Sequence, residues 1–160
     1  VTGPFEDRRP PFWVFVTGHP DAIPSGYWQH SPSGRQSLDV PGVAELRSYL
    51  DAVLYRRRDR HRLAVLCRGG RPCEAGVDAA VRAYCEARGI ACLVQFAEPD
   101  LYGPEAEYRR DLDAVARAHA VVWFGPRVER DPVTLAAFLG VPCRVAPVRA
   151  PALALEEEDA

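Results

Sequence analysis

At 160 residues the chain is long enough for one domain with a sizeable core, and 48% hydrophobic with 26% charged residues is ordinary for a globular fold. A formal net charge of -2 argues against general nucleic-acid affinity through bulk charge. No apolar run approaches the ~20 residues that a membrane helix needs. All 20 basic side chains are arginine, which reads as codon usage in a GC-rich genome rather than as guanidinium chemistry. The first residues carry no signal-peptide h-region, and the five cysteines (Cys67, Cys73, Cys85, Cys92, Cys143) lack CxxC spacing. Neither a metal site nor a resident cofactor is therefore expected, and a reducing cytoplasm is.

Residues 1–11 are polar and proline-rich and read as an irregular arm before a domain spanning 12–150. Phe12 to Val16 is aromatic and β-branched, the pattern of a strand buried on both sheet faces. It runs into the breaker cluster Thr17-Gly18-His19-Pro20. Residues 21–42 form a long loop carrying Tyr27 and Trp28, placed to close over a site. Val43 to Arg58 has apolar residues at 43, 46, 50, 53 and 54, a helical spacing, with Asp39 or Gly42 near its start. Its basic end, Arg56–Arg60, opposes the negative end of the helix dipole.

Leu63 to Cys67 is the second strand and opens into Arg68-Gly69-Gly70-Arg71-Pro72-Cys73. Glu74 to Arg88 is the second helix, with Gly89 as its C-cap. Ala91 to Phe96 is the third strand, and Glu98 to Pro104 reads as a loop. Glu105 to Ala118 is a helix with Pro104 in its first turn. Val121 to Phe124 is the fourth strand, followed by the loop Gly125–Asp131. Asp131-Pro132 is an N-cap and N1 pair for a short helix ending at Gly140. Cys143 to Val148 is the fifth strand, and 151–160 reads as an acidic, solvated tail.

Alternating strands and helices predict an α/β chain: one Rossmann-like three-layer domain with a mostly parallel sheet of about five strands. Ligands of such sheets bind beyond the strand carboxyl ends. That rule gathers Thr17–Pro20, Arg68–Asp78, Tyr102–Arg110 and Gly125–Asp131 on one edge. Glycine turns there open backbone N–H groups to an anion.

The segment Arg68-Gly69-Gly70…Gly76-Val77-Asp78-Ala79-Ala80 resembles the "GG-A-x-G-x-D-x-x-A" piece of the SLOG superfamily. These are the Rossmann-like domains of DNA-processing protein A, the LOG phosphoribohydrolases and the small YspA/YpsA-like bacterial proteins. Tyr108-Arg109-Arg110-Asp111-Leu112 before Ala120–Phe124 is similar to that family's "RN" helix and "A-x-V-V-x-F" strand. Thr17-Gly18-His19 is similar to its "TG-[HY]-R" opening, and Gly125 to Val145 to its last loop, helix and strand. The likeness spans roughly residues 12–148. The chain departs from it in carrying Pro72-Cys73 between Gly70 and Gly76, and in lacking the LOG loop "PGG-x-GT-x-x-E" at 125–131.

The resemblance implies a nucleotide or nucleotide-derived ligand at the carboxyl edge. Its contacts are expected from Thr17, Gly18, His19, Gly69, Gly70, Gly76, Asp78, Arg109, Gly125 and Arg127. Arg109 is a candidate phosphate clamp. Tyr27, Trp28 and Tyr102 are candidates for stacking on a base. The alternative is a nucleotide N-glycoside (phosphoribo)hydrolase, with Glu129, Asp78 or His19 as catalytic candidates. A second alternative is a DNA-associated or scaffold protein using Arg56–Arg62, against which the net charge counts. A homo-oligomer is possible on the family likeness, and no membrane partner is expected.

Overall fold

The computed structural model describes residues 10–23, 42–69 and 76–147. Five strands form a single sheet: β1 (Phe12–Gly18), β2 (Leu63–Gly69), β3 (Ala91–Phe96), β4 (Ala120–Phe124) and β5 (Cys143–Ala146). Their order is β3-β2-β1-β4-β5 and every pairing is parallel, so the sheet is wholly rather than mostly parallel. The central strands β1, β2 and β4 are buried on both faces, which is why they read as continuous apolar runs.

One face packs Val14, Val16, Val65, Cys67, Val122 and Phe124 against α1 (Val43–Leu50) and α2 (Gly76–Arg88). The other packs Phe15, Leu66 and Val121 against α4 (Ala106–Arg117) and α5 (Pro132–Leu139). This is the three-layer, Rossmann-like α/β arrangement that the alternation of elements calls for. Asp131 caps α5 by accepting the Thr134 N–H at 2.9 Å, and Gly140 ends it in the left-handed conformation. Gly89 takes the same conformation after α2.

Three boundaries differ from the sequence expectations. The first helix leaves α geometry at Asp51 and continues as a π-helical turn to Tyr55, stopping short of Arg58. Asp51 is held there by the Tyr84 hydroxyl at 2.7 Å and by the Arg88 guanidinium, so a tie to α2 goes with the widened turn. Residues 98–104 are not a simple loop. Pro99–Tyr102 is a one-turn helix, α3, with Pro99 at its start, and Gly103–Glu105 a 3-10 turn leading into α4. Among the described residues β5 ends at Ala146. The arm up to residue 9, residues 24–41, Gly70 to Ala75 and the acidic tail lie outside the described residues. No helix among those described is long and apolar enough to cross a membrane.

Candidate functional site

In the order β3-β2-β1-β4-β5 the chain reverses direction across the sheet between β1 and β4, so their carboxyl ends flank the topological switch point. Thr17 and Gly18 end β1, and His19 follows with its N–H on the Phe124 carbonyl at 2.8 Å. Gly18 pairs with Phe124, and a Cβ on Gly18 would meet the Phe124 carbonyl oxygen at 2.5 Å. Gly125 continues β4 at φ 91° and donates to the Ala146 carbonyl at 3.0 Å. His19 Nδ1 accepts the Asp21 N–H at 3.0 Å. That bond assigns the proton of the neutral ring to Nε2, so the ring offers a donor rather than a base.

Asp78 lies in the first turn of α2 and is buried. The Thr17 hydroxyl at 3.1 Å and the Arg68 backbone N–H at 3.2 Å both donate to the same oxygen, Oδ1. The carboxyl thereby ties the carboxyl ends of β1 and β2 to the start of α2. Burial pushes Asp78 up to about 6, an effect that the Arg68 guanidinium, the Thr17 hydroxyl and the Arg68 N–H only partly offset.

The Arg68 side chain reaches the opposite face and grips Asp111 of α4 with two bonds, Nε at 3.0 Å and Nη2 at 2.7 Å. Arg110 donates to Asp111 Oδ1 at 3.1 Å, and its side chain is only 3% exposed. Trp123 of β4 lies under the Arg68 guanidinium at 5.8 Å. Two arginines and two aspartates therefore share one small region below the carboxyl edge.

Beyond β4, Asp131 is enclosed by Arg127 through two bonds, by the Val128 N–H at 3.0 Å and by the N–H and hydroxyl of Thr134. Burial works against its ionisation, yet these donors together outweigh it and hold the carboxyl below the usual range.

The expected ligand contacts thus fall into groups. Thr17, Gly18, His19, Asp78 and Gly125 come together at the strand ends. Gly69 packs beneath Val94 and Phe96 of β3, and Gly76 meets the Ile23 carbonyl, so protein atoms occupy the space that a Cβ would take at each. Arg127 is committed to Asp131 and Thr134. Arg109 is 52% exposed, pairs weakly with Asp113 at 3.9 Å and stacks on Tyr102 at 5.2 Å. Its neighbour Arg110 is the one turned inward. Glu129 is exposed on the loop after β4. Gly70, Cys73, Tyr27 and Trp28 lie outside the described residues.

Sequence reasoning passed over Arg68 and Asp111 as a pair, and Arg110 as the inward arginine. The helical spacing Ala106, Arg110, Ala114 marks that inward face. In the basic cluster, Arg57 bonds Asp59 and lies over Phe12, Arg60 over Tyr55, and Arg62 bonds the Pro10 carbonyl. These side chains are engaged with their own chain. Compared with known proteins, the chain matches no family model, no curated protein and no solved structure.

Proposed function

We propose that this is a SLOG-like binding domain for a nucleotide or nucleotide-derived ligand, seated at the carboxyl edge where β1 and β4 diverge. One observation carries the reading. The buried polar and charged residues among those described are Thr17, Asp78, Arg110, Asp111 and Asp131; Thr17, Asp78 and Asp131 lie at a strand end or a helix start, and Asp111, bonded by Arg110, is tied to the end of β2 by Arg68. Burying polar groups is costly unless they are paired, so a group of buried charges near one edge supports a polar role there. Helix N-termini favour an anionic group there, and the Nε2–H of His19 adds a donor at the rim.

The test is a thermal-shift panel of nucleoside mono- and diphosphates and dinucleotides, with the parent nucleosides as controls. A ligand at a hundred times its Kd stabilises by about 2.7 kcal/mol, which for a domain of this size is about 5–11 °C. Phosphorylated compounds should give such a shift and the nucleosides a smaller one. No shift across the panel refutes the reading. Release of free base from a nucleoside monophosphate, lost in Glu129→Gln, would move it to N-glycoside hydrolysis.

A further inference from the structure

Away from that edge, three cysteines from three elements meet between α2 and the β2–β3 pair. Cys67 Sγ lies 3.4 Å from Cys92 Sγ, and Cys85 belongs to the same packed cluster. Cys67 and Cys85 are buried, whereas Cys92 on the edge strand is partly exposed. Arg82 of α2 is close enough to act on both Cys67 and Cys92, and its buried Nε has no hydrogen-bond partner. A buried guanidinium N–H without an acceptor calls for an anion beside it. Ionised Cys92 would supply that charge, with the Cys67 thiol able to donate to it. The neighbouring thiols and Arg82 hold the Cys92 thiol below its usual range, while both flanking thiols are pushed up.

We propose that Cys92 is a peroxide-sensitive thiol and that Cys67 resolves its oxidised form into a reversible Cys67–Cys92 disulfide. The Cys92 thiolate attacks one peroxide oxygen, the O–O bond breaks, and the departing hydroxide takes up a proton to leave as water. The Cys67 sulfur then attacks the sulfenic sulfur of Cys92. The S–S bond forms, the S–O bond breaks, and a second water carries off the Cys67 proton. Two thiols have lost two electrons and two protons, and the peroxide has gained them.

The strand register makes this bridge strained. Cys92 pairs with Val65 and Cys67 with Val94, a two-residue offset. With strands ~4.8 Å apart and a rise of ~3.3 Å per residue, the two Cα atoms stand roughly 8 Å apart. A relaxed disulfide spans less, and most of the gap lies along the strands, so closing it must shift the Cys67 and Cys92 backbones toward each other along β2 and β3; strained bridges are the readily reduced ones. The displaced residue, Cys67, directly precedes Arg68.

The experiment is peptide mapping of the full chain after hydrogen peroxide treatment, without reduction. The expected product is a linked peptide pair containing Cys67 and Cys92, two hydrogens lighter and separated by dithiothreitol. Cys67→Ser should instead trap Cys92 as a sulfenic acid that dimedone labels. Arg82→Gln should move the pH midpoint of iodoacetamide modification of Cys92 upward, by about one unit, and an unmoved midpoint would remove Arg82 from the proposal. Oxidation at Cys73 or Cys143 with Cys92 left reduced overturns the proposal, and so does a bridge to Cys85. The mapping uses the unsubstituted protein, so failure of a variant to fold would not spare it.

Discussion

Asp78→Asn should make the protein more stable at neutral pH. In the folded chain the Asp78 carboxyl is raised from 3.8 to about 6, chiefly by burial. An acid whose folded pKa lies above its unfolded value contributes stability that is full below the unfolded pKa and lost as pH rises through the folded one. The window for Asp78 is therefore about pH 4 to 6. A difference of roughly two units is worth about 3 kcal/mol, and with the residue only 5% exposed little of it is lost to screening. Asparagine keeps an oxygen for the Thr17 hydroxyl and the Arg68 N–H, since both bonds fall on Oδ1. It also resembles the protonated acid in carrying a donor on the second position. The variant should gain up to about 3 kcal/mol over the wild type at pH 7.5, or about 6–12 °C in Tm, and the gap should close by about pH 4. Urea titrations of both proteins at half-unit intervals of pH measure it. A variant less stable than the wild type at pH 7.5, by a margin constant down to pH 4, would show that the ionised carboxylate is favoured and refute the reasoning.

Asp131→Ala removes the cap of α5 and leaves the Val128 N–H without its acceptor, so a loss of about 2–3 kcal/mol is expected in urea unfolding at pH 7. Because the Asp131 carboxyl is held below its usual range, the contribution is present above the unfolded pKa and fades as pH falls through the folded one; a deficit that does not shrink below pH 4 would contradict this. Gly76→Ala sets a Cβ against the Ile23 carbonyl, backbone that cannot turn aside as a side chain can. A loss of at least ~2 kcal/mol in the same titration is expected, and a neutral result would mean that the Ile23 segment is free to move off α2.

The sheet and most helix boundaries were legible because local chemistry specifies them. Phe12–Val16 and Ala91–Phe96 stand out as apolar runs, and Asp131-Pro132 with Gly140 brackets α5 completely. The helix at Pro99–Tyr102 was hidden because Pro99, Gly103 and Pro104 read as breakers, although proline suits the first turn of a helix. The π-helical turn after Leu50 goes with contacts from Tyr84 and Arg88, 33 and 37 residues away, which no local pattern contains. The site was half legible for the same reason. Thr17, Gly18, His19 and Gly125 follow from the rule about strand ends. The bond between Arg68 and Asp111 spans 43 residues and two layers, so neither side chain announces it. Motif matching drew attention to Arg109 where the helical period favours Arg110, and burial sides with the period.

What holds the carboxyl edge together also explains why Asp78 is worth its cost there. With Asp78 ionised, Arg68, Arg110, Asp111 and Asp78 carry two positive and two negative charges, balanced within a region that water hardly enters. Asp78 itself bonds the Arg68 backbone while Arg68 bonds Asp111, so one residue of β2 links α2 on one face to α4 on the other. The tie passes through Thr17 to β1, the strand that meets β4 at the switch point. The stability forgone at Asp78 is therefore spent where β1, β2, α2 and α4 must keep a fixed relation at a polar edge. A mere filler of the core would be better served by leucine. A rigid frame beside His19 and Gly125 would suit the proposed anionic ligand, because donors fixed before binding cost less order on binding.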